Sequence, residues 1–292
     1  LGVPDIIKTI QTLPGVASGM ELFSGLYVHG GDGSDNLILI DGVPVFQVTH
    51  MGGLFSSFNA DIVNSIDFYK SGIPSRYGGR SSSVLEIMTK EGSLDKTNGS
   101  FSIGLTEGRI NLNGPLIKNK LTYNIALRRS LLEPYLITYL ALVNSNDQIK
   151  TRGGYSLSDI TLALAYTPYA GDKVTFKVYS GGDRLRFSRI TSQKFYGESV
   201  FNAEDLIDAR MNWGNSAVSA NWDHILSDDS NVSTIIYHSG SRSDLSSLKT
   251  DNELKNEQLS TESGIESIKG NVKVTGFRSI YNKELIHNKI SS

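Results

Sequence analysis

The stretch "DITLALAY", residues 159–166, alternates strictly. Ile160, Leu162, Leu164 and Tyr166 fall on one face, and Asp159, Thr161, Ala163 and Ala165 on the other. Successive side chains of a strand point to opposite faces, so a period of two predicts a β-strand with one apolar face. The theme recurs on both sides. "SFSIGLT" sets Phe101, Ile103 and Leu105 against Ser100, Ser102, Gly104 and Thr106. "LTYNIALR" sets Leu121, Tyr123, Ile125 and Leu127 against Thr122, Asn124, Ala126 and Arg128. "KVTFKV", "AVSANWD" and "NVKVT" repeat it, "VSTIIYH" less cleanly, and turn-rich segments such as "NGPLIKNK", "YAGDK" and "LSDDSN" separate the runs. About eight strands are expected after residue 98. Two architectures share this pattern: a soluble sandwich with its apolar faces turned inward, and an outer-membrane barrel with its apolar faces turned to lipid. Small and charged residues on the polar faces, and 13 tyrosines available for interfacial girdles, favour the barrel slightly.

Bulk composition narrows the function. The chain has 292 residues, 39% hydrophobic and 20% charged, and a net charge of -2. That is enough for a large core and gives no electrostatic reason to expect nucleic acid as a partner. With no cysteine, disulfides, thiolate metal sites and cysteine nucleophiles are excluded. No apolar run of about 18 residues predicts a transmembrane helix, and the opening "LGVPDIIKTIQTLPGV" lacks the basic and apolar regions of a signal peptide. The missing initial Met leads us to expect a truncated or processed chain.

Residues 1 to about 92 have a different texture, expected to be a small α+β domain. Pro4-Asp5 leads into Ile6, Ile7, Ile10 and Leu13, a short helix ended by Pro14-Gly15. Leu37–Ile40 is a continuous apolar run, expected to be a strand buried on both faces, and Asp41-Gly42 turns it into "VPVF". Asn59 caps a brief helix over Ala60–Val63, and strands follow at Ile66–Tyr69 and Val84–Met88. Within this region "GGDGSDNLI" (30–38) fits a calcium-binding nonapeptide through Gly30, Gly31, Gly33, Asp35 and Leu37. Such repeats bind calcium between stacked turns, and no second copy exists, so we read the stretch as a glycine-rich loop without a metal.

Four segments resemble the plug domain of TonB-dependent outer-membrane receptors, in the form found in Bacteroidetes-type bacteria. They are "DIIKTIQTLPGV", "GLYVHGGDGSDNLILIDGVPVF", "FSSFNADIVNSIDFYKSGIPSRYGGRSSSVLEIMTKEG" and "INLNGPLIKNKLTYNIALRRSLLEPYL", together about the first 135 residues. The chain departs from the common pattern at His29-Gly30, where the family usually has Arg-Gly, and at "YGGRSSSVLEI". The resemblance implies a plug over 1–93 followed, over 94–292, by the N-terminal strands of a transmembrane β-barrel in the cell outer membrane. It implies import of a scarce nutrient ligand (iron chelate, vitamin, glycan or peptide), driven by the TonB complex through a box upstream of residue 1. A ligand-sensing module without transport, or an outer-membrane hydrolase, would be the alternatives. Outer-membrane lipid and a surface lipoprotein are the further partners, and no cofactor is expected. Eight strands close a barrel only just filled by its own side chains, too narrow for a plug of about 90 residues. The chain is therefore expected to be part of a larger barrel, or to hold its two parts side by side.

The resemblance also places loops 29–36 and 45–58 at the plug's outer tip, making His29, Phe46, Gln47, His50 and Met51 candidate ligand contacts. Arg76 and Arg80 in "SRYGGR" are candidates for a latch onto barrel carboxylates, the alternative being two solvated arginines. No catalytic or metal site is expected. The five histidines are scattered, and neither a G-x-S-x-G elbow nor a P-loop is present.

Overall fold

The computed structural model describes residues 5–18, 26–144, 148–196, 200–255 and 258–284. The N-terminal elements are α1 (Ile6–Gln11), β1 (Val16–Ser18), β2 (Leu26–Val28), β3 (Asn36–Ile40), β4 (Val43–Pro44), β5 (Thr49–His50), β6 (Phe55–Ser56), β7 (Val63–Tyr69) and β8 (Ser83–Thr89). They form a four-stranded sheet in the order β4-β3-β8-β7, with β3 and β8 parallel and central. Their apolar residues carry the core, in which Leu85 and Ile87 of β8 are fully buried together with Ile7, Leu26 and Val28. Each such side chain contributes about 2 kcal/mol relative to an exposed one. Asp5 caps α1 by accepting from Lys8 N at 2.9 Å, and Asn59 caps the 3-10 turn Ala60–Ile62. Asp41 and Gly42 both have positive φ, +52° and +79°, the primed turn that a tight β3–β4 hairpin requires.

The remainder is an eight-stranded antiparallel meander: β9 (Asn98–Ile103), β10 (Glu107–Ile117), β11 (Leu121–Ser130), β12 (Ile149–Tyr166), β13 (Asp172–Tyr196), β14 (Val200–Ser227), β15 (Ser230–Lys255) and β16 (Gln258–Lys283). β9 and β16 do not pair, so the sheet is open at both ends. The strands are longer than their alternation suggested, β13–β16 running 25 to 28 residues. The segment ending "LLEPYL" runs on from β11 into helix α2 (Glu133–Val143) with Pro134 in its first turn.

The faces of this sheet decide between the two architectures. The face against the N-terminal domain is polar and buried, through Asn111, Thr122, Asn124, Thr161, Thr175, Ser219 and Ser239. The opposite face is apolar and exposed, as at Leu112 (48%), Ile160 (44%), Phe176 (40%) and Phe277 (70%). A soluble sandwich buries the apolar face; a lipid-facing barrel wall exposes it. Tyr166, Trp222 and Tyr281 ring the exposed face near the short turns 167–171 and 228–229, the position of an interfacial aromatic girdle.

Candidate functional site

The two layers meet through ionic groups that the fold removes from water. The segment from Asp41 to Phe58 runs along the inner face of the sheet, rising from the level of Lys177 to that of Asp183. At its centre His50 is 2% exposed, at the end of the two-stranded ribbon β5–β6. Its Nδ1 lies 2.7 Å from Asp183 Oδ2 and its Nε2 2.9 Å from Asp159 Oδ1. Asp159 also accepts from Arg128 Nε at 2.6 Å, and Arg128 Nη2 donates to Ser56 O at 2.7 Å. Glu107 adds its carboxylate beside Arg128 and Arg109, 3.8 and 3.4 Å away, and Arg109 reaches Asp61 at 3.1 Å. Tyr155 donates to Asp183 in a short bond, and Tyr179 donates to Ser57 O at 3.0 Å.

Three potential cations, His50, Arg128 and Arg109, thus face four carboxylates, Asp159, Asp183, Glu107 and Asp61. Burial alone would disfavour the imidazolium. Hydrogen bonds and Coulombic attraction from Asp159 and Asp183 outweigh it and raise the His50 pKa from 6.5 to about 9. His50 is therefore a cation at neutral pH, and the two sheet carboxylates it bridges would otherwise be buried near one another with one partner fewer.

Two further contacts complete the seating. Below the network, Lys177 Nζ lies 2.5 Å from Asp41 Oδ1, while the same carboxylate accepts from Thr89 N at 2.8 Å; Lys173 pairs with Glu91 at 2.6 Å. Beside it, Asn215 Oδ1 accepts from Phe46 N and Gln47 N at 3.3 and 3.0 Å. Met51 N donates to Asp183 at 3.2 Å, and Ser239 donates to Pro44 O at 2.5 Å.

Of the five candidate ligand contacts, Phe46, Gln47, His50 and Met51 stand together against the wall. His29 lies apart, exposed, its ring beside Gly15. His50 is sealed between two carboxylates. The contacts of the two latch candidates, Arg76 and Arg80, lie elsewhere among the described residues. Arg76 donates to Tyr77 Oη at 3.0 Å and lies over that ring at 4.8 Å, while Tyr77 donates to Glu86 in a short bond, all within the N-terminal domain. Burial first, and the Glu86 bond second, push the Tyr77 phenol up to about 12. Arg80 reaches only the Gly79 carbonyl among the described residues, at 3.2 Å. On the domain side, the ionic contacts between the layers are made by His50, Asp41, Asp61 and Glu91. The sequence signals for them were charged residues on otherwise small polar faces: Arg128 in "LTYNIALR", Asp159 in "DITLALAY", and Lys173 and Lys177 in "KVTFKV".

A globular domain is thus seated by buried charge on the polar inner face of a sheet whose outer face is apolar and exposed, the arrangement of a plug against a barrel wall. Residues 1–84 match the family model described as TonB-dependent Receptor Plug Domain. Among solved structures, it is similar to the siderophore receptor PirA of Acinetobacter baumannii at 14% identity, covering 94% of this chain and 55% of that one, with a TM-score of 0.47. A variant of the ferric enterobactin receptor PfeA of Pseudomonas aeruginosa gives 14% identity, 94% and 57% coverage and a TM-score of 0.46. The outer membrane transporter YddB of Escherichia coli gives 9%, 95%, 53% and 0.45. The chain spans little more than half the length of these structures. No curated protein matches it in sequence.

Proposed function

We propose that residues 1–93 are the plug and 94–292 the first barrel strands of a TonB-dependent importer that takes up a scarce nutrient ligand. The observation that carries this reading is the plug–wall network at His50. Its ionic groups are nearly water-free, so breaking it is uphill by several kcal/mol and spontaneous opening is rare. Ligand capture needs no such displacement; passage does, and so needs work supplied from outside the barrel. In this reading the half-buried Phe46, Gln47 and Met51, with His29, face the ligand, and His50 holds their loop in place from below. The TonB complex would supply the work, and a surface lipoprotein would be an accessory partner. The test is binding and uptake of a candidate ligand in cells making the complete receptor, with and without TonB. Binding is expected in both and uptake only with TonB; equal uptake without it would sink the importer mechanism.

A further inference from the structure

The inner face of the sheet reverses its chemistry just beyond the N-terminal domain. Short turns mark the periplasmic end of such barrels, so β12–β16 run on past the domain's tip toward the outside. On β13, Asp183 meets His50 and Met51; on β14, Asn215 meets Phe46 and Gln47; on β15, Ser239 meets Pro44. Side chains two apart on a strand share a face, which carries the inner face upward from these contacts. Trp213 stands level with Asp183, and the next rung reads Tyr155, Leu185, Met211, Leu245 and Ile268 across five strands. Leu185, Leu245 and Ile268 are exposed, as is Phe187 one rung higher. A lumen-facing row of such a barrel is ordinarily polar. The polar group in this one is the Tyr155 hydroxyl, and Asp183 already engages it.

A helix extends this apolar belt. α2 lies on the same inner face, its Leu140 and Leu136 over Gly153, where a Cβ would fall 3.2 and 3.8 Å from their methyl carbons. Asn144 fixes the end of the helix: its amide donates to Thr151 O at 2.6 Å, and its Oδ1 accepts from Thr151 N at 2.7 Å. The helix is thus anchored, while its Tyr135, Tyr139 and Leu142 stay exposed. Uncharged hydroxyls stand beside the belt, since Ser243 and Ser247 flank Leu245 on the same face of β15. Charge returns only above it, at Glu266 and then at Arg189 and Lys249. Apolar surface held in water favours any ligand that covers it. A charged ligand would lose its hydration there with no counter-charge to meet it.

We propose that the ligand taken at this mouth is a short, uncharged peptide rich in apolar side chains. Its side chains would cover Leu185, Phe187 and Leu245, and its backbone amides would meet the Ser243 and Ser247 hydroxyls. An anionic chelate finds no cation at this height, and an oligosaccharide finds too few polar groups for its hydroxyls. The opposite wall of a plugged barrel stands a plug's width away, so its strands do not cover the belt. The proposal deepens the importer reading, and rests on it, by assigning the substrate class.

The experiment is titration calorimetry of the purified complete receptor with four probes: acetyl-Leu-Phe-Ser-Leu-Phe-amide, acetyl-Glu-Phe-Ser-Glu-Phe-amide, maltopentaose and an anionic ferric tris-catecholate. The apolar peptide should bind at least about tenfold more tightly than the other three, as expected for two or more buried apolar side chains. Leu185→Asn/Leu245→Asn should weaken it about tenfold or more. Leu185→Met/Leu245→Met, which keeps the volume, should stay within about threefold of wild type. Ser246→Asn, on the opposite face of β15, should change nothing. Circular dichroism checks that each variant is folded. Absence of apolar-peptide binding, or equal or tighter binding of any other probe, would overturn the proposal. So would undiminished peptide binding by the folded Asn variant, since another segment of the receptor would then cover the belt. These measurements use no TonB, so a chelate or oligosaccharide that binds best removes the peptide assignment and leaves the importer reading standing. Uptake that is equal without TonB does the reverse.

Discussion

Raising the pH should unseat the plug at His50. Its folded pKa of about 9 lies above the ordinary 6.5, so its stabilisation is complete below pH 6.5 and is lost as pH climbs through about 9. At 1.36 kcal/mol per decade, that interval corresponds to about 3 kcal/mol of plug–wall docking, on the order of a few hundred-fold in the docked–undocked ratio. The group is nearly sealed from solvent, so salt screening does little to reduce the effect. The pH window spans the charge of His50, so the loss is assigned to its bridge. Hydrogen exchange of loop 45–58 in the complete receptor, from pH 6.5 to 10 and corrected for intrinsic exchange, measures it directly. Protection should fall steeply across that window in wild type and show a much flatter profile in His50→Gln. A wild-type profile as flat as that of the variant would refute the assignment of the bridge.

Three other outcomes follow from the contacts. Asp41→Ala removes the acceptor shared by Lys177 and Thr89 and should lower plug stability by about 2–3 kcal/mol, read as a lower denaturant midpoint. A Cβ at Gly92 would lie 2.4 Å from the Tyr123 carbonyl, at a φ of +107°; Gly92→Ala should therefore displace the plug–barrel connection and cut the yield of folded receptor in the outer membrane. Charge reversal at Arg76 and Arg80 should leave permeability to large antibiotics unchanged, while His50→Gln raises it; the opposite result would restore the arginines as the latch.

What the sequence made legible was local. Asp41-Gly42 announced its turn because two adjacent residues had to adopt positive φ, and Asn59 announced its cap because the bond it makes spans two residues. The alternation in "DITLALAY" specified both faces of its strand but not which face met water, since lipid and a second sheet are equally apolar. Beyond Gly182 the outward residues become arginines, so the apolar signal ends although the strand continues; that is why the strands read short. α2 escaped because "YLITYLALV" is apolar all round and has no helical period. The His50 bridge was illegible for another reason. Its partners stand 109 and 133 residues away, and a lone histidine carries no spacing that points to them.

Those sequence separations bear on assembly. Each sheet strand pairs with its chain neighbour, so the wall can zip up through nearby contacts. The plug–wall bonds instead join residues as distant as Pro44 and Ser239, 195 apart, and β3 must first find β8 across the intervening chain. Contacts closing long loops form late. The plug is made first by the ribosome yet must wait for the wall that receives it. Meanwhile Arg128, Asp159 and Asp183 stay hydrated, and the last water should leave them only when the loop bearing His50 arrives. Docking would then be the slow, final step of maturation, and a receptor inserted but not yet seated would be a leaky one.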